Sequence, residues 1–124
     1  MGELKFVVDT SVLIGAFDAI DAATEGAWAT SVVTIGELYS GVLLAEKDSE
    51  QSGRLKRLAA VLSLVTVLDI NRAVATGYGD LRTLSRRSPS NDLWIAGTAL
   101  AHDLELVTMD VAQAALPLVR TRLI

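Results

Sequence analysis

The sequence predicts an α/β fold, a three-layer sandwich with helices on both faces of a mainly parallel sheet. Three observations lead there. Short apolar runs rich in β-branched residues alternate with segments of helical spacing along the whole chain. The apolar runs are continuous rather than alternating, as expected of strands covered on both faces. No linker, repeat or low-complexity tract interrupts the 124 residues, 51% of which are apolar, so residues 1–124 read as a single domain able to bury about two-thirds of its unfolded surface.

In order along the chain, Phe6-Val7-Val8 reads as the first strand. A helix over residues 11–19 follows, with Asp9 as its cap. Residues 28–33 read as the second strand. Thr34 with Glu37 three residues later has the pattern of a capping box, opening a helix that runs to Leu44. The polar stretch 47–53 reads as an exposed turn between helices. Leu55, Leu58, Leu62 and Val65 recur at helical spacing, and residues 64–68 read as the third strand. Asp69 reads as a cap for the next helix, whose stripe is Val74, Tyr78 and Leu81. Residues 92–102 are apolar almost all round, which predicts a buried helix. Residues 104–108 form the fourth strand and residues 118–120 a weaker fifth.

Composition excludes several classes. With no cysteine there is no disulfide framework and no thiolate metal site, which fits a reducing, cytoplasmic setting. The longest charge-free stretches are eleven residues, whereas a membrane helix needs roughly 20. The N-terminus, Met1-Gly2-Glu3-Leu4-Lys5, reaches Asp9 too soon for a secretory leader. The net charge of −4 argues against a broad basic surface for nucleic acid, though not against local binding. No Gly-rich loop precedes a Lys-Ser/Thr pair, so a nucleotide P-loop is absent.

In sheets of this kind, functional groups gather where strands end and helices begin. Asp9 follows the first strand, Asp110 the fourth, Glu37 lies in the first turn of the helix after the second, and Asp92 opens the buried helix. Each has an ordinary structural reading as a cap or turn residue. What those readings do not predict is that all four share one edge. Four carboxylates so gathered repel, raise one another's pKa and call for a cation. Hard oxygen donors without His or Cys select Mg²⁺ or Mn²⁺. His102, the only histidine, ends an apolar helix and reads as structural. Gly77 and Gly79 read as packing sites. Arg82, Arg86 and Arg87 are the cations best placed to meet phosphates beside the acids.

Four segments in order resemble the motifs of PIN-domain proteins: Val7-Val8-Asp9-Thr10-Ser11, Ser31-Val32-Val33-Thr34-Ile35-Gly36-Glu37-Leu38, Asn91-Asp92-Leu93-Trp94-Ile95-Ala96-Gly97, and Leu106-Val107-Thr108-Met109-Asp110. The match runs in register from about Lys5 to Asp110, and the chain is similar to VapC-type toxins, the ribonuclease partners in bacterial toxin–antitoxin pairs. The resemblance implies a five-stranded sheet of order 3-2-1-4-5. It implies that Asp9, Glu37, Asp92 and Asp110 form the catalytic quartet binding one or two Mg²⁺ or Mn²⁺ ions; Asp9, Asp92 and Asp110 are the preferred direct ligands, with Glu37 binding through water or orienting the nucleophile. Thr108 and Ser11 would support them through hydrogen bonds. It further implies cleavage of an RNA substrate, a homodimer, and a cognate VapB-type antitoxin lying on the helices over residues 11–19 and 37–44. One departure follows Asp110: many relatives continue with another acid and an aromatic, where this chain has Val111-Ala112-Gln113. Three other readings stand beside this one. They are a non-catalytic PIN-like domain that binds protein or RNA, a DNA-directed nuclease, and a phospho-receiver domain with Asp69 as acceptor.

Overall fold

In the computed structural model, which describes residues 3–124, five short strands form one sheet. They are β1 (Phe6–Val8), β2 (Trp28–Ser31), β3 (Thr66–Leu68), β4 (Glu105–Thr108) and β5 (Thr121–Leu123). The order is β3-β2-β1-β4-β5 and every pairing is parallel, where the sequence predicted a mainly parallel sheet. Met1 and Gly2, the start of the segment read as no leader, lie outside the described residues. The helices are α1 (Thr10–Gly15), α2 (Ile20–Thr24), α3 (Val32–Leu44), α4 (Asp48–Leu64), α5 (Arg72–Leu84), α6 (Ser90–Ala101) and α7 (Val111–Ala114). None of them is long and apolar enough to cross a membrane.

Alternation along the central strands builds two cores. Phe6 and Val8 pack with Val12, Leu13, Leu38, Leu58 and Val61 on one face. Val7, between them, packs with Leu81, Leu93, Ile95 and Ala96 on the other. The sheet is thereby covered by α1, α3 and α4 on one side and by α5 and α6 on the other. The α5–α6 pair is the tightest helix contact. There Gly77 faces Gly97: a Cβ on Gly97 would stand 3.0 Å from the Tyr78 nitrogen, and one on Gly77 would stand 3.1 Å from the Gly97 oxygen. Only two glycines let these backbones approach so closely. Gly79 meets nothing, so of the two glycines read as packing sites only Gly77 is one.

Several boundaries differ from the sequence reading. The second strand stops at Ser31 because the Ser31 hydroxyl accepts from the Val33 amide at 3.1 Å and starts α3 there. Val32 and Val33 are therefore helical, Thr34 is not a cap, and Glu37 stands in the second turn rather than the first. The first helix ends at Gly15, and a 3₁₀ turn over Phe17–Ala19 leads into α2. The stretch 47–53 is exposed but helical from Asp48, with Asp48 and Glu50 placed favourably at the positive end of α4. On α4, Leu58 and Val61 are buried while Leu55 and Leu62 are 51% and 53% exposed. The expected four-residue stripe is thus a narrow one. Leu64 closes α4, so the third strand begins two residues late. Asn71, not Asp69, caps α5, its side chain accepting from the Val74 amide at 2.9 Å. The fifth strand is Thr121–Leu123 rather than residues 118–120, because Leu118 takes a left-handed φ of 69° that interrupts extended backbone.

A phospho-receiver domain has strand order 2-1-3-4-5. Here β3 is an outer strand, which leaves exposed Asp69 two strands away from Asp9 and removes that reading.

Candidate active site

The site starts from two strand ends. β1 and β4 are neighbours, with Val8 opposite Val107, so Asp9 and Asp110 leave the sheet at the same edge. Asp9 leaves β1 in extended conformation and caps α1, its Oδ2 accepting from the Ser11 amide at 3.0 Å. It is only 5% exposed, and its Oδ1 is buried with no hydrogen-bond partner. Asp110 does the same after β4: its Oδ1 accepts from the amides of Ala112 at 2.9 Å and Gln113 at 3.4 Å. Asp110 is exposed.

Two helices bring the other acids to the same edge. Glu37 on α3 is held by the Thr10 hydroxyl, which donates to its Oε1 at 2.6 Å, and the Thr10 and Thr34 hydroxyls are in contact at 2.9 Å. Asp92, in the first turn of α6, makes no side-chain hydrogen bond with any described residue. Its pKa is pushed up to about 6, first by burial and then by the negative charges of Asp9, Asp110 and Glu37. The charges of Asp9, Asp110 and Glu37 thus all act on Asp92 at this edge. His102 is exposed at the far end of α6 from Asp92, at its C-cap.

Ser11 and Thr108 make hydrogen bonds at the site: the Ser11 amide donates to the Asp9 carboxylate, while both hydroxyls meet backbone amides. The Ser11 hydroxyl accepts from the Met109 amide at 3.1 Å, and the Thr108 hydroxyl accepts from the Asp110 amide at 3.0 Å. Thr108 in turn donates to Gln113 Oε1 at 2.6 Å, while Gln113 Nε2 donates to the Asp92 carbonyl at 3.4 Å. Gln113 is 1% exposed and ties the strand end carrying Asp110 to the helix start carrying Asp92. Sequence reasoning missed Thr10, Thr34 and Gln113. The available signal for Gln113 was its place three residues after a helix-capping Asp, which turns its side chain back over the first turn.

The donor set suits a hard cation. It is four carboxylates with no His or Cys, one buried oxygen lacks any partner, and mutual repulsion already disfavours the charged form of Asp92. As they stand, no three His, Cys, Asp or Glu side chains among the described residues enclose an ion. Drawing the acids inward onto a cation would relieve the repulsion and satisfy Asp9 Oδ1.

Of the three arginines near the site, Arg82 is committed. It donates to the carbonyls of Arg86 at 3.1 Å and Ser88 at 2.8 Å and to the Ser90 hydroxyl at 3.1 Å, and it lies over the Tyr78 ring. Arg86 and Arg87 are exposed.

Compared with known proteins, the chain matches the PIN domain over residues 6–117. It belongs to the PIN-domain family. This PIN domain is 37% identical over 125 residues to Ribonuclease VapC4 of Mycobacterium tuberculosis, covering 94% of this chain and 95% of that one. It is 36% identical to Ribonuclease VapC5 of the same organism over 117 residues, 89% of this chain and 86% of the other. Among solved structures it resembles VapBC-5 of M. tuberculosis, a member of the VapBC family of toxin–antitoxin systems. The TM-score is 0.81 at 32% identity, covering 97% of each chain. The two relatives and the solved structure place this PIN domain in the VapC branch of the family.

Proposed function

We propose that this PIN domain is the ribonuclease toxin of a toxin–antitoxin pair, a metal-dependent endonuclease that hydrolyses RNA phosphodiester bonds. The observation carrying it is the convergence of four acids from four separate segments on one sheet edge, where burial first and then the charges of Asp9, Asp110 and Glu37 push the Asp92 pKa up. Relatives that share over a third of their residues and nearly their full length with it are named ribonucleases, which supports RNA as the substrate.

In this reading Asp9, Asp92 and Asp110 hold a divalent cation, Mg²⁺ or Mn²⁺. When bound, such an ion acidifies a water and offsets negative charge at the scissile phosphate. The chain's own residues do the rest. Asp9 offers an oxygen kept free by burial, its other oxygen being fixed by the Ser11 amide. Asp110 is held by two amides of α7. Glu37, fixed by Thr10, is positioned to orient a water and take its proton. Gln113 and Thr108 keep the segments that carry Asp92 and Asp110 in place.

Replacing Asp92 by Asn should abolish cleavage of an RNA pool in Mg²⁺ or Mn²⁺ while the circular dichroism spectrum stays native. Undiminished cleavage by this variant and by Asp9→Asn, or full activity in EDTA, would overturn the reading.

A VapB-type antitoxin and a homodimer belong to the same proposal. A groove of about 520 Å³ between α1, α3 and α4 is lined by Ile14, Leu38 and Gly41 and reaches Glu37. Beside it Tyr39, Leu43 and Leu44 are exposed, apolar surface suited to a partner helix.

A further inference from the structure

A second groove lies between the segment that leads into Asp92 and the segment that follows Asp110. It has a volume of about 460 Å³ and is lined by Arg86, Arg87 and Ser88 from the loop before α6, and by Ala112, Ala115 and Leu116 from α7 and the turn after it. Its two walls are therefore the segments next to Asp92 and next to Asp110. No acid lines it. The groove over α1, α3 and α4 differs, having Glu37 and Glu50 beside Arg54 and Arg57.

Most arginines of the chain are engaged by it; those of this groove are not, and the one other arginine unengaged among the described residues, Arg72, stands at the opposite end of α5. Arg54, Arg57, Arg82, Arg120 and Arg122 each donate to a carbonyl, a hydroxyl or a carboxylate of the chain. Arg86 and Arg87 make no side-chain hydrogen bond or ion pair with any described residue. Yet their loop is ordered from below, because Arg82 bonds the carbonyls of Arg86 and Ser88 and the hydroxyl of Ser90. Two free guanidinium groups thus sit on a braced loop, opposite small alanines that leave room, at the rim of a pocket that repels phosphate. Arginine suits phosphate because its planar fork matches two phosphate oxygens, and a pre-ordered loop loses little entropy on binding.

We propose that this groove is a backbone track for single-stranded RNA, in which Arg86 and Arg87 bind two phosphates next to the one being cleaved. The proposal rests on the ribonuclease reading and assigns where the strand runs. The strand then crosses the acids from the α6–α7 side, leaving the α1–α3–α4 groove to another partner.

The test uses the full chain and a single-stranded RNA oligonucleotide that the native protein cuts. Losing two single-strand phosphate contacts lowers the salt slope of RNA binding by about 1.4, equivalent to roughly tenfold in affinity at about 0.15 M salt. For Arg86→Ala/Arg87→Ala we expect that drop in slope, a KM raised about tenfold, kcat maintained and an unchanged melting temperature. Arg86→Lys/Arg87→Lys should keep most of the salt slope, since it keeps both charges. A double-alanine variant with native KM and slope would overturn the track while leaving the ribonuclease reading intact. So would one that loses only antitoxin affinity, which would make the groove a protein contact. If the native chain neither binds nor cuts RNA, the ribonuclease reading and the track fail together.

Discussion

Asp92 is where the competing forces at the site are most visible. Its folded pKa of about 6 lies above the ordinary 3.8, so the folded chain holds this proton more tightly than the unfolded chain does. The stability this contributes is complete below about pH 4 and is lost as pH rises through 6. At pH 7.5 without divalent ions, Asp92→Asn should therefore melt higher than the native protein. The gain should be about 1 kcal/mol once solvent screening of this half-buried group is allowed for. Adding Mg²⁺ or Mn²⁺ should raise the melting temperature of the native protein and much less that of the variant, and calorimetry at the two conditions would show both effects. Gln113 works in the opposite sense, as pure support. Gln113→Leu leaves the Thr108 hydroxyl without its acceptor in a buried place, which should cost about 1–3 kcal/mol in chemical denaturation and reduce cleavage by loosening both acid-bearing segments.

At the scale of elements, the α5–α6 contact is the most exacting. Gly97→Ala would push a Cβ to within 3.0 Å of backbone that cannot rotate away, so it should destabilise by about 1–3 kcal/mol, measurable by denaturant midpoint. Gly79→Ala, in open space on α5, should be neutral or stabilising. The two outcomes separate packing from helix propensity. The same elements show what a sequence can and cannot disclose. Strand ends followed by acids are local patterns, so Asp9 and Asp110 were legible, and the alternation of elements was enough for the layers. The start of α3 was not, because Val32 and Val33 have strand propensity that the Ser31 cap overrides. The stripe of α4 was not, because spacing marks a face without telling how much of it meets the core. Leu55 and Leu62 continue the period of Leu58 but lie outside the core contact. Gln113 was hidden for a different reason. A buried amide acquires its role only from a partner such as Asp92, which is distant in sequence and adjacent only in the fold.

For the molecule as a whole, charge is distributed unevenly in its consequences. Setting aside the four site acids leaves eleven acids against eleven bases. The body is then close to neutral, and the formal −4 equals the charge of the quartet. Such a pocket repels a phosphate backbone until a cation fills it. RNA affinity should accordingly fall when divalent ions are chelated at constant ionic strength, even in a binding assay where no cleavage is scored. Equal affinity with and without EDTA would show that the ion serves chemistry alone.

The bond from the Met109 amide to the Ser11 hydroxyl joins residues 98 apart in sequence. It has a consequence in time. Asp9 and Glu37 emerge early as the chain is synthesised, but β1 gains β4 as its neighbour, and Asp9 gains Asp110, only after more than a hundred residues have been made. Contacts this distant form late and together, since closing so long a loop is rewarded only when the sheet is in place. On the proposed quartet, a chain still lacking β4 has no complete nuclease site. The interval before β4 docks is one in which the early helices are already exposed and the nuclease is not yet assembled.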